Sequence, residues 1–126
     1  VAVREAHTRL GATRVVVVGA SMRGSVALMT AATNPDVDAA VDLSGPVDWK
    51  GIEVVDGGRA LTVPVLVAMA DSEGEDQVSG ARAIVDRAPD GSRFEAADSG
   101  HGYDLLLDAD AQPLPLAETV AAWIRG

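Results

Sequence analysis

The sequence predicts an α/β fold, a parallel sheet of about four strands flanked by helices. Two runs carry that reading. Residues 13–19 (TRVVVVG) and 63–70 (VPVLVAMA) are apolar and β-branched without polar alternation, the pattern of strands buried on both faces. Stretches with helical spacing lie between the strand-like runs, and a strand–helix–strand order implies parallel pairing. Glycine and proline close the segments, as expected where strands and helices hand over.

Taken in order, residues 1–10 (VAVREAHTRL) place Val3, Ala6 and Leu10 at helical spacing, and Gly11 ends them. The strand at 13–19 follows. Residues 21–33 read as a helix with Val26, Ala27, Leu28 and Ala31 as its apolar face, stopped by Asn34-Pro35. Residues 37–44 (VDAAVDLS) form a second strand, closed by Gly45-Pro46. Residues 45–62 read as loop with one short helical turn. The strand at 63–70 leads through an acidic stretch, Asp71 to Asp76, into a helix at about 77–88, broken by Pro89 and Gly91. Residues 92–98 (SRFEAAD) are a weaker fourth strand. The last helix spans 115–125 (PLAETVAAWIR), with Pro115 at its start and Gly126 after it. No internal repeat, low-complexity tract or linker interrupts the 126 residues, so one domain with one core is expected.

Composition excludes several classes of function. A net charge of -9 disfavours binding to a nucleic-acid backbone, which needs a basic patch, and to anionic membranes. There is no cysteine, so thiol catalysis, disulfides and Cys-ligated zinc are ruled out. No His/Asp/Glu group has metal-ligand spacing. The apolar runs fall far short of the ~18 residues of a membrane span. No signal peptide is visible, which fits a cytoplasmic protein. The first residue is Val1, so the start is either processed or internal to a longer chain.

In an open parallel sheet ligands gather at the carboxyl ends of the strands. Three chemically suggestive segments fall there: Gly19–Gly24, Asp71–Glu75 and Asp98–Gly102. The first, Gly19-Ala20-Ser21-Met22-Arg23-Gly24, puts a serine in a small-residue turn between a strong strand and a helix. The helix dipole and the Met22 N–H there favour an anion. A serine hydroxyl is a poor nucleophile unless a base lies within hydrogen-bond reach and an acid orients that base. A plain helix N-cap is the simpler role for Ser21. A dinucleotide loop is excluded, because both glycine spacings are broken. The Tyr-x-x-x-Lys pair of short-chain dehydrogenases is also absent, Tyr103 and Lys50 being the only residues of their kinds.

The Gly19–Gly24 segment resembles the Gly-x-Ser-x-Gly nucleophile elbow of α/β-hydrolases, especially the Gly-Ala-Ser-Met-Gly-Gly form of bacterial members. It departs from it at Arg23, where that family has glycine. The resemblance implies Ser21 as nucleophile, Met22 N–H as an oxyanion-hole donor, and a histidine in the loop after the last strand. His101 stands there, in Asp98-Ser99-Gly100-His101-Gly102. The other histidine, His7, reads as solvent-facing on the first helix. The family order of Ser, acid, His places the acid after the strand at 63–70. Glu73 takes that place, with Asp71 the alternative; the neighbouring acids read as a solvated helix start. Arg23, Ser44 and Asp71 are candidate pocket residues. Trp49 is a candidate pocket wall, and Trp123 is expected in the core. The implied activity is that of a serine esterase, loosely like a dienelactone hydrolase, on small carboxylic esters without a cofactor. The rival is a weak or inactive hydrolase-like module.

The resemblance covers the second half of the family's fold, from the helix before the elbow onward. The strand at 13–19 is then a very apolar edge, and the second oxyanion donor, from an early loop of the family, is not in this sequence. A homodimer, or a complementing N-terminal piece, is therefore expected to cover that side. Light scattering checks this: a dimer mass agrees, and a monomer that binds no second polypeptide contradicts it.

Overall fold

The computed structural model describes residues 2–49, 52–53 and 60–126. Val1 and much of the loop at 45–62, including the helical turn expected within it, lie outside them, as does the Trp49 side chain. Among the described residues, four parallel strands form one sheet, with helices on both faces. The helices are α1 (Ala2–Arg9), α2 (Met22–Thr33), α3 (Glu75–Arg87) and α4 (Pro115–Arg125). The sheet strands are β1 (Val16–Ala20), β2 (Ala39–Leu43), β5 (Val65–Ala70) and β6 (Arg93–Ala97). Their order is β1-β2-β5-β6, so chain order and spatial order agree. The region read as loop also holds an antiparallel pair, β3 (Asp48–Trp49) with β4 (Ile52–Glu53). Two-residue strands are too short to show any period in sequence.

The alternation of side chains along each strand divides the core in two. On one face Ala40, Val65, Val67 and Met69 pack against Leu28 and Ala31 of α2 and Ala81 and Ile84 of α3. On the other face Val41, Leu43, Leu66, Ala68 and Ala70 pack against Leu105 and Val120, with Leu116 and Trp123 of α4 alongside. Strands β2 and β5 are buried throughout, which explains the unbroken apolar run of β5. Strand β1 is different. It lies at an edge, and Val18 keeps 43% of its surface exposed.

Two expectations about single residues change. His7 is not solvent-facing. Its Nε2 lies 2.8 Å from the carbonyl oxygen of Asp36 and its Nδ1 3.0 Å from that of Ala12. The end of α1 folds over the connections entering β1 and β2, so His7 ties them together. Two carbonyl partners want a donor on each ring nitrogen, which only imidazolium supplies. The Asp36 carbonyl first, then the Ala12 carbonyl, raise the His7 pKa against the opposing effect of burial, and the carboxylates of Asp38 and Asp36 add to the rise. Trp123 is only partly buried, because its indole N–H reaches out to the Gly91 carbonyl at 2.9 Å.

Candidate active site

The turn after β1 has an unusual backbone. Ser21 sits at φ 55, ψ -132, outside the regions that L-residues favour. Its N–H donates to the Leu43 carbonyl at 2.8 Å, fastening the turn to the end of β2. Close packing leaves no space for a side chain at Gly19 or Gly24. A Cβ on Gly19 would stand 2.0 Å from the Arg23 carbonyl oxygen, and one on Gly24 would stand 2.0 Å from Asp42 Oδ1. Helix α2 therefore starts hard against the strand end, with Ser21 at the corner and no side-chain cap bond from it. Ser21 thus stands at the N-cap position of α2, but its hydroxyl does not cap the helix. Arg23 fits because it lies exposed on the first turn of α2, while Gly24 occupies the crowded inner position.

The loops after β5 and β6 meet this corner. Residues Asp71–Glu73 form a single turn of 3₁₀ helix directly after β5, and Glu73 points to the His101 loop. His101 lies four residues past β6, before the short 3₁₀ turn Gly102–Leu105. Its Nε2 is 2.8 Å from Ser21 Oγ, across 80 residues of sequence. Its Nδ1 contacts Glu73 Oε1. A carboxylate beside Nδ1 holds the ring proton there, which leaves Nε2 free to accept the Ser21 hydroxyl proton.

The structure therefore brings Ser21, His101 and Glu73 into one hydrogen-bonded chain at the carboxyl rim of the sheet. Asp71, the alternative acid, is exposed two residues earlier and is not part of it. Met22 opens α2, so its amide is among the first-turn N–H groups that a helix leaves without internal partners. The His101 side chain is 52% exposed and that of Glu73 24%. At such exposure the contact adds little stability, so its effect is to orient the ring.

Ser44 does not line an open pocket. It is buried, at φ 63, and its Oγ accepts the Gly102 N–H at 3.0 Å. Beneath the corner lies a group that the sequence did not single out. Asp42 is buried on the α2 side of β2, and its Oδ1 accepts the Gly45 N–H at 2.7 Å. Burial pushes its carboxyl up to about 7, with the Gly45 bond opposing. Among the described residues no cluster of three or more His, Asp or Glu side chains could hold a metal ion. Nor is any helix there long and apolar enough to cross a membrane.

No protein-family model and no curated protein matches this chain. Solved structures do. The esterase domain of a Rhodothermus marinus protein superposes with a TM-score of 0.71 at 19% identity, covering 98% of this chain and 65% of that one. A Pyrococcus furiosus esterase gives a TM-score of 0.76 at 12% identity, over 98% of this chain and 58% of that one. A candidate dienelactone hydrolase from Klebsiella pneumoniae gives 0.66 at 21% identity, over 87% and 51%. The chain has the α/β-hydrolase fold. It spans between half and two thirds of the length of these α/β-hydrolase structures.

Asp42 gives this corner a pH signature. With its pKa raised from 3.8 to about 7 in the folded chain, the folded state holds the extra proton between those values. The stability it confers is complete below the lower value and lost as pH rises through the upper one. Relative to the parent, Asp42→Asn should thus gain stability from pH 5 to pH 8, by on the order of a few kcal/mol. Urea denaturation at both pH values measures this; a stability difference that is the same at both contradicts it.

Proposed function

We propose that this chain carries the catalytic machinery of a serine hydrolase acting on small carboxylic esters. One observation supports this above all: a single imidazole bridges the Ser21 hydroxyl and the Glu73 carboxylate. In the proposed reaction Ser21 Oγ attacks the ester carbonyl carbon while His101 Nε2 takes its proton. The carbonyl π electrons move onto oxygen, and the Met22 N–H donates to that oxyanion. Glu73 keeps the ring in the productive tautomer and stabilises the imidazolium. The intermediate collapses, the C–O bond to the alcohol breaks, and His101 returns the proton to the leaving oxygen. Water, deprotonated by His101, then attacks the acyl-serine. Its collapse releases the acid and restores the Ser21 hydroxyl. No step calls for a cofactor.

A second reading is favoured by the edge position of β1 and the exposure of Val18. In it the chain turns over slowly, or not at all, until a second polypeptide covers that edge. A missing oxyanion donor alone lowers rates by about 10²–10³. A homodimer and a separate N-terminal piece are the two forms this reading takes.

Hydrolysis of p-nitrophenyl acetate separates the readings. The parent chain should exceed background, Ser21→Ala and His101→Ala should fall to it, and Glu73→Gln should lose at least ~10-fold. Equal rates for the parent, Ser21→Ala and His101→Ala end the hydrolase reading for the isolated chain.

A further inference from the structure

Beyond the three residues of the proposed mechanism, we propose that Ser44 is a positioning residue that sets where the His101 imidazole stands. The inference rests on the reading of Ser21 and His101 given above. His101 is half-exposed, so packing does not hold its ring. Glu73 orients the ring through Nδ1, but where the ring stands comes from the backbone that carries it, and that backbone is tied down at the next residue. The Gly102 N–H is buried and donates to Ser44 Oγ at 3.0 Å. Gly102 itself has φ 61, and a Cβ there would stand 3.3 Å from the Ala20 Cβ. The loop is thus pressed onto the end of β1 at this point, with Ser44 supplying the polar contact.

Ser44 is well placed to act as a ruler. Its own N–H donates to the Ala68 carbonyl at 2.8 Å, and its left-handed backbone turns the chain out of β2. The residue before it, Leu43, accepts the Ser21 N–H at 2.8 Å. Two consecutive residues at the end of β2 therefore grip both partners, one at the amide of the nucleophile, the other at the amide beside the base. The distance between Ser21 and His101 is referred to a single rigid strand that is buried along its whole length. Removing the hydroxyl leaves a buried N–H without its acceptor, and the loop then shifts to find one in water. A displacement of about 1 Å at a reacting group can cost about 10²-fold in rate.

The test uses two substitutions with opposite structural consequences. Ser44→Ala removes the hydroxyl and keeps the backbone strain; Ser44→Gly removes the hydroxyl and relieves that strain. If Ser44 is only a corner residue, the glycine variant should match the parent. We expect instead that both variants lose about 10²-fold in kcat for p-nitrophenyl acetate with KM nearly unchanged, measured well below their melting temperatures. In parallel, ¹⁵N NMR should show a protected Gly102 amide and one His101 tautomer in the parent. Both features should be lost in both variants. A glycine variant with parental kcat and an unaltered His101 spectrum overturns the proposal. If the Ser21→Ala chain proves as active as the parent, the hydrolase reading fails, while the NMR comparison still decides whether Ser44 positions the ring.

Discussion

The strained corner at Ser21 is the constraint on which the site depends. A backbone at φ 55, ψ -132 costs a non-glycine residue about 1–3 kcal/mol and persists only where its surroundings over-determine it. Here those surroundings are identifiable. Leu43 takes the amide, Gly19 lets the Arg23 carbonyl close over the strand end, and Gly24 lets α2 settle onto Asp42. Were either glycine to carry a Cβ, the helix would have to lift away from the sheet and the hydroxyl would leave the reach of His101.

The parallel sheet does the rest. Because β1, β2, β5 and β6 all run the same way, their carboxyl ends share one rim. Ser21, Ser44, Glu73 and His101 each follow one of those ends. Residues far apart in the chain thereby converge without any of them needing a long side chain. The cores on the two faces fix the strands, and the strands fix the loops to within hydrogen-bond tolerances. The weaker spot is solvent: with His101 half-exposed, the charges of the site work in water, where Coulomb energies are small.

Much of this was legible from residue types. Runs such as VVVV and VLVAMA could only be buried strands, and their ends located the rim. Boundaries moved by up to three residues, as for β1, which begins at Val16, because Thr13 and Arg14 lie outside the ladder. The serine stood out in its small-residue turn, while the histidine and the acid were placed by the resemblance to α/β-hydrolases. What was hidden depended on three-dimensional neighbours. Asp42 looked like one polar residue in an apolar strand; its burial follows from the close approach of Gly45 and of Gly24, the latter distant in sequence. His7 looked like a surface residue of a polar helix, since nothing local announces the carbonyls of Ala12 and Asp36. Ser44 preceded a Gly-Pro turn, and its contact with Gly102 is set by the fold alone.

The strain at residue 21 is best tested by comparing Ser21→Gly with Ser21→Ala in urea denaturation. At a relaxed position alanine is the more stable by about 0.4–1 kcal/mol, because glycine has more freedom to lose on folding. At this corner the order should reverse, the glycine variant being the more stable. An alanine variant more stable than the glycine variant by the ordinary margin would mean that Ser21 is not held in the strained conformation, and the arrangement described for the site would not stand.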